Sequence, residues 1–233
     1  YTGPKTSGWF GRSPQLQVTC RITVPRQFDV DLDTAGGHLK VANLTGKLKA
    51  HTSGGNLEFN QIVGPVTART SGGHITLAGV QGPVDLKTSG GNLNLDDIQG
   101  DVTASTSGGH IKVAKLTGKA SVKTSGGNIG VTEINGSMDA STSGGNITAE
   151  LSRQPAGACS FKTSGGNITL TLTEQSAVDI DAHTSGGGVS TELPVASVIQ
   201  GKQKKNELRG KINGGGPRLV AYTSGGNIRL EKK

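Results

Sequence analysis

Val66-Thr67-Ala68-Arg69-Thr70-Ser71-Gly72-Gly73-His74-Ile75-Thr76-Leu77 reads as two short strands hinged at a glycine corner. Val66, Ala68 and Thr70 share one face, Thr67 and Arg69 the other, and Ile75 and Leu77 turn inward after the corner. An apolar anchor at Val80 and a second glycine at Gly82 follow. The next copy begins at Val84, so one unit takes 18 residues. The corner threonines fall at Thr34, Thr52, Thr70, Thr88, Thr106, Thr124 and Thr142; 21-residue steps lead to Thr163 and Thr184, and a 39-residue step reaches Thr223. A fixed period near 20 residues means one supersecondary unit stacked on its own copies.

The inward set keeps register through Val84, Leu86, Thr88 and Val102, Ala104, Thr106 to Met138, Ala140, Thr142. Small and large residues trade places at its middle position: Ala68, Leu86, Ala104, Val122, Ala140, Phe161. No stretch has the i, i+3, i+4 spacing of an amphipathic helix. A β-hairpin meander with Ser-Gly-Gly loops competes, but the strict register favours stacked identical positions. The fold predicted is all-β: a single-domain parallel β-solenoid with coils of 18–21 residues, right-handed by the general crossover rule. The 38 glycines among 233 residues are locked to the period, unlike those of collagen or a flexible linker. No apolar run is long enough to span a membrane.

Residues 1–25 are off-period. Leu16, Val18, Cys20, Ile22 and Val24 alternate as a lead-in strand expected to cap the first coil of a solenoid spanning 26–233. The start at Tyr1 rather than Met reads as a trimmed, exported form, its signal segment not in this chain. At the other end an in-phase unit, Thr223-Ser224-Gly225-Gly226-Asn227-Ile228, is followed by five residues. Its expected open edge comprises Tyr222, Thr223, Asn227, Ile228 and Leu230.

The net charge of +7 lies wholly in residues 202–233, nine basic against two acidic. Lys202, Lys204, Lys205, Arg209 and Lys211 form a candidate patch for an anionic partner, within a degenerate coil at about 194–217. A solvated loop with edge-protecting lysines is the plainer reading of the same run. Cys20 and Cys159 both take inward positions many coils apart, beyond bridging distance, and predict two buried thiols.

Chemistry is sparse. Histidine and asparagine alternate after the glycine pair at His38, Asn56, His74, Asn92 and His110, then Asn128 and Asn146. Histidines two coils apart (~9.6 Å) cannot share one ion, so corner hydrogen bonding is their expected role. The threonine hydroxyls are expected to satisfy corner backbone groups. Outward positions such as Lys49, His51, Arg69, Asp85 and Lys87 are too mixed for a flat crystal-binding ladder. Adjacent Asp96 and Asp97 point opposite ways on a strand and make a poor acid–base pair. No nucleophile elbow or phosphate loop is present. The sequence therefore predicts no catalytic, cofactor or metal residues.

Ile22-Thr23-Val24-Pro25, the repeated Thr-Ser-Gly-Gly-Asn-Ile and the ending Leu208-Arg209-Gly210-Lys211-Ile212-Asn213-Gly214-Gly215-Gly216 resemble a family of bacterial β-strand-repeat proteins labelled adhesins, a domain of unknown function. The resemblance covers about residues 16–231 and implies an exported or surface-attached solenoid. The expectation is a non-catalytic extracellular or cell-surface rod, structural or adhesive, self-assembling end to end through its C-terminal edge. The alternative is a binding module for an anionic surface polymer through the basic coil, with glycan or lipid headgroup favoured over nucleic acid.

Overall fold

The computed structural model describes residues 18–197 and 204–233, which contain strands and turns but no helix. First strands run Val30–Thr34, Leu48–Thr52, Val66–Thr70, Val84–Lys87 and Val102–Ser105; second strands run Leu39–Thr45, Leu57–Val63, Ile75–Gln81 and Leu93–Gln99. Ile111–Lys123 and Ile129–Thr142 then pass through the corner without a break. Equivalent residues pair one to one in parallel, as in Leu48↔Val66, Val66↔Val84 and Val84↔Val102. This is the β-solenoid that the period demanded.

Each coil turns its apolar set into one continuous core, from Leu44 and Leu48 to Ile228 and Leu230. The second strand hides a change of parity. Leu57 and Phe59 are buried, yet the next buried residue is Ile62, three positions on. Gln61, with φ of 55°, supplies the step by entering the left-handed region. Asn43, Gly79, Asp97, Lys115 and Glu133 occupy the same column with φ between 52° and 65°. The kink creates a short third side to the coil before the second glycine corner. There Gly82 has φ of 142°, and a Cβ on it would lie 2.5 Å from the Gly64 carbonyl oxygen.

Order along the stack departs from order along the chain. Strand Cys159–Thr163 pairs with Arg218–Thr223, and Arg218–Thr223 pairs with Val178–Thr184 on its other side, all in parallel. In the second-strand layer, Ile228–Lys232 lies likewise between Ile168–Leu172 and Val189–Thr191. The last coil of the chain is therefore the penultimate coil of the stack, inserted between the Thr163 and Thr184 coils. This corrects the expected open edge. Thr223, Ile228 and Leu230 are buried, Tyr222 and Asn227 lie on the outer surface, and both edges of their strands are paired. Equal spacing hid the insertion, because 39 residues is also the sum of two coils.

The expected degenerate coil is a cap instead. Glu207–Ile212 runs antiparallel to Val178–Thr184 and covers its free side, and the two-residue strand Ala196–Ser197 pairs antiparallel beyond it. So short an outer strand offers little template for another chain. At the opposite end, residues 18–25 form no strand. Val18 and Ile22 are 75% and 72% exposed, and Cys20 is exposed rather than buried. Only Gln27 bridges to the stack, at Thr45. The first coil's Val30, Leu32, Leu39 and Val41 are accordingly half-buried beside a cavity of about 700 Å³ that Ile22 and Val24 also line. Cys159 is buried as expected, and burial raises its thiol pKa; both cysteines are free.

Candidate functional site

Two columns of side chains run the length of the solenoid at the Thr-Ser-Gly-Gly corner. The inner one is threonine. Thr70 Oγ1 donates to the Gly55 carbonyl of the preceding coil at 3.0 Å and accepts the Gly73 N–H of its own corner at 3.2 Å. The same pair of bonds recurs at Thr88, Thr106, Thr124 and Thr142. It continues in stack order through Thr163, Thr223 and Thr184. Every one of these threonines is buried, so the hydroxyl answers a backbone donor and acceptor that water cannot reach. The corners approach so closely that a Cβ on Gly91 would lie 1.8 Å from the Gly73 carbonyl oxygen.

The outer column is the histidine–asparagine file. His38 Nδ1 accepts the backbone N–H of Asn56 at 2.9 Å, Asn56 Oδ1 accepts that of His74 at 2.8 Å, and His74 Nδ1 accepts that of Asn92 at 2.9 Å. Asn92, His110, Asn128, Asn146 and Asn167 continue the file to Asn227. Asn227 Oδ1 finally accepts from Gly188 at 2.9 Å. An imidazole that accepts at Nδ1 is neutral and carries its proton on Nε2. Histidine and asparagine are thus equivalent here, each offering an acceptor one coil upward.

The outer column also marks the end of the stack. Gly188 holds its last position and has no acceptor to offer, because no further coil waits for one. That glycine, unique among the Thr-Ser-Gly-Gly corners, is the sequence signal of the insertion that periodicity alone concealed.

The basic C-terminal residues are dispersed by the fold. Lys202 lies outside the described residues. Arg209 is committed to Asp181 at 3.1 Å and Glu207 at 2.9 Å. Arg218 reaches the same Asp181 at 2.8 Å, Lys233 pairs with Glu150 at 2.5 Å, and Lys232 with Glu174. The C-terminal charge thus meets acidic residues of earlier coils, in exposed pairs each worth little. Lys204, Lys205 and Lys211 are exposed and form no ion pair among the described residues. Tyr222 stacks on His183 with ring centroids 5.9 Å apart. Hydrogen bonds from Ser224 and Ser185 hold its phenol below the usual tyrosine range.

Asp96 lies 3.9 Å from Lys115 across one coil, while Asp97 sits in the left-handed column. Among the described residues no group of three or more His, Cys, Asp or Glu is placed to hold a metal. No helix there is long and apolar enough to cross a membrane.

Fold and corner columns together define a parallel β-solenoid repeat protein. The family described as Toastrack DUF4097 matches residues 82–231, and the chain belongs to it; the family is uncharacterised. No curated protein matches the chain, and neither does any solved structure.

Proposed function

We propose that this chain is a non-catalytic, extracellular or cell-surface rod that adheres through its sides. The carrying observation is the closed C-terminal end: the last coil is inserted and an antiparallel strand covers the stack beyond it. What the molecule repeats is its lateral surface, which suits many weak contacts with an extended partner. Electron microscopy over a concentration series, with co-sedimentation on purified bacterial cell-wall sacculi at moderate salt, tests it. Dispersed rods that sediment with sacculi are expected; filaments, or rods left wholly in the supernatant, would overturn the proposal.

A second reading draws on Lys204, Lys205 and Lys211, which lie exposed along the cap without an ion-pair partner among the described residues. They suit an anionic surface polymer. That binding would fall steeply with salt and with Lys204→Glu and Lys205→Glu. Salt-independent binding would exclude it.

A further inference from the structure

The outer corner column has a second side. In each of His38, Asn56, His74, Asn92, His110, Asn128, Asn146 and Asn167 the accepting atom is consumed by the backbone N–H of the next coil. The remaining polar atom is therefore a donor in every case, Nε2–H of histidine or Nδ2–H₂ of asparagine. None of these donors has an acceptor in the protein among the described residues, and all but half-buried Asn92 belong to exposed side chains. The fold thus presents a single file of unmatched N–H donors, one per coil, spaced by ~4.8 Å.

Shallow troughs border the file on the second-strand face. One, of about 460 Å³, joins Asn56, His74 and Asn92 to Thr76 and Asn94. Another, of about 420 Å³, joins His110 and Asn128 to Thr132, Thr148 and Thr171. Charge along this face is close to balance: Lys40 pairs with Glu58 at 2.7 Å, and Glu150, which lines the second trough beside Lys112, pairs with Lys233. A polyanion gains nothing from such balance, whereas an uncharged, acceptor-rich polymer matches it.

We infer that the donor file and its flanking troughs bind an extended β-linked glycan whose hydroxyl and acetamido oxygens accept from successive coils. The rise of one sugar in such a chain slightly exceeds the ~4.8 Å strand spacing, so contacts stay in step over a few coils, with alternate sugars turning like groups toward the file. No Phe, Tyr or Trp lines either trough; without such a stacking platform, each sugar binds weakly and affinity builds with length. The inference rests on the lateral-binding reading above and names the polymer for it.

The probe is a series of β-1,4-linked N-acetylglucosamine oligomers, from dimer to octamer, titrated into the full chain and followed by NMR. Affinity is expected to climb with oligomer length. The triple variant Asn56→Asp, Asn92→Asp, Asn128→Asp keeps an oxygen to accept each backbone N–H but removes the amide donors. It should melt close to the parent and bind the octamer about tenfold more weakly or worse. A second variant, Thr148→Val with Thr171→Val, alters the trough wall with residues that suit strands and should also weaken binding. Octamer binding unchanged in both variants, or no binding by the parent at any length, would overturn the inference. Sacculus binding that survives the triple variant would reject this face while leaving the lateral rod intact.

Discussion

The Thr184 hydroxyl donates to the carbonyl of Gly226 at 2.7 Å, a residue 42 positions later in the chain. That bond exists because the final coil occupies the gap between the Thr163 and Thr184 coils. The threonine column is what makes the insertion seamless: Thr223 Oγ1 in turn donates to Gly166 at 2.8 Å, as any neighbour would. The same column governs stability along the rod.

Thr106→Val removes both the 2.9 Å bond to the Gly91 carbonyl and the 3.3 Å bond from the Gly109 N–H. Two buried backbone groups lose their partner, at a cost of about 2–4 kcal/mol. Thr106→Ser keeps both bonds and loses one methyl group, about 0.8 kcal/mol. Urea denaturation should rank parent, Ser and Val in that order; equal midpoints for Ser and Val would remove the hydroxyl from the account.

The two glycines of a corner are not equivalent. A Cβ on Gly91 would meet the Gly73 carbonyl oxygen at 1.8 Å, whereas one on Gly90 has ordinary contact at 3.8 Å. Gly91→Ala should abolish soluble expression or lower the melting temperature steeply. Gly90→Ala should fold, within about 1 kcal/mol of the parent.

Lys115 and Glu133 hold left-handed backbone at φ of 52° and 55°. Glycine there relieves a strain of about 1–2 kcal/mol but brings a chain-entropy cost of about 0.5–1 kcal/mol. Lys115→Gly and Glu133→Gly should therefore each stabilise the fold, by up to about 1.5 kcal/mol. Lower denaturation midpoints in both would contradict the assigned kink.

A hydrogen bond and ion pair with Lys233 hold the Glu150 carboxyl below its ordinary range, with a smaller contribution from Ser152. A depressed carboxylate stabilises the fold above its unfolded pKa and loses that contribution as pH falls through the folded value. The difference between parent and Lys233→Ala seen at pH 7 should thus persist down to about pH 4.5 and be erased only as pH falls further, through the lowered Glu150 value. Melting curves across this whole range measure it, and a constant difference would detach the chain end from Glu150.

Architecture was legible because the repeat states it many times: core parity, register and the bonding of the threonine column all follow from Thr-Ser-Gly-Gly and its flanking alternation. Two local features escaped for physical reasons. The left-handed column is filled by Asn43, Gln61, Gly79, Asp97, Lys115 and Glu133, which share no single chemical mark, so the three-residue gap between Phe59 and Ile62 was its clearest sign. The insertion escaped because register is identical in every coil, and stack order was written only in the missing acceptor at Gly188. Alternation at Val18, Ile22 and Val24 suggested a strand, yet the described segment makes no ladder bonds beyond the bridge at Gln27. The donor file was visible as alternating letters, but its direction required the hydrogen bonds that consume one side of each residue.

Stack order decides whether the C-terminal end is closed and hence whether function lies along the sides. In a Cys20→Ser background, cysteines are placed in pairs at Lys162 and Tyr222, and at Lys162 and His183, and treated with a short thiol-bridging reagent. Lys162 and Tyr222 are paired neighbours, as are His183 and Tyr222. The first pair is thus ~4.8 Å apart and the second ~9.6 Å. The inserted order predicts efficient bridging of 162 with 222 and none of 162 with 183. Bridging of 162 with 183, with 222 out of reach of 162, would show coils stacked in chain order and an open C-terminal edge.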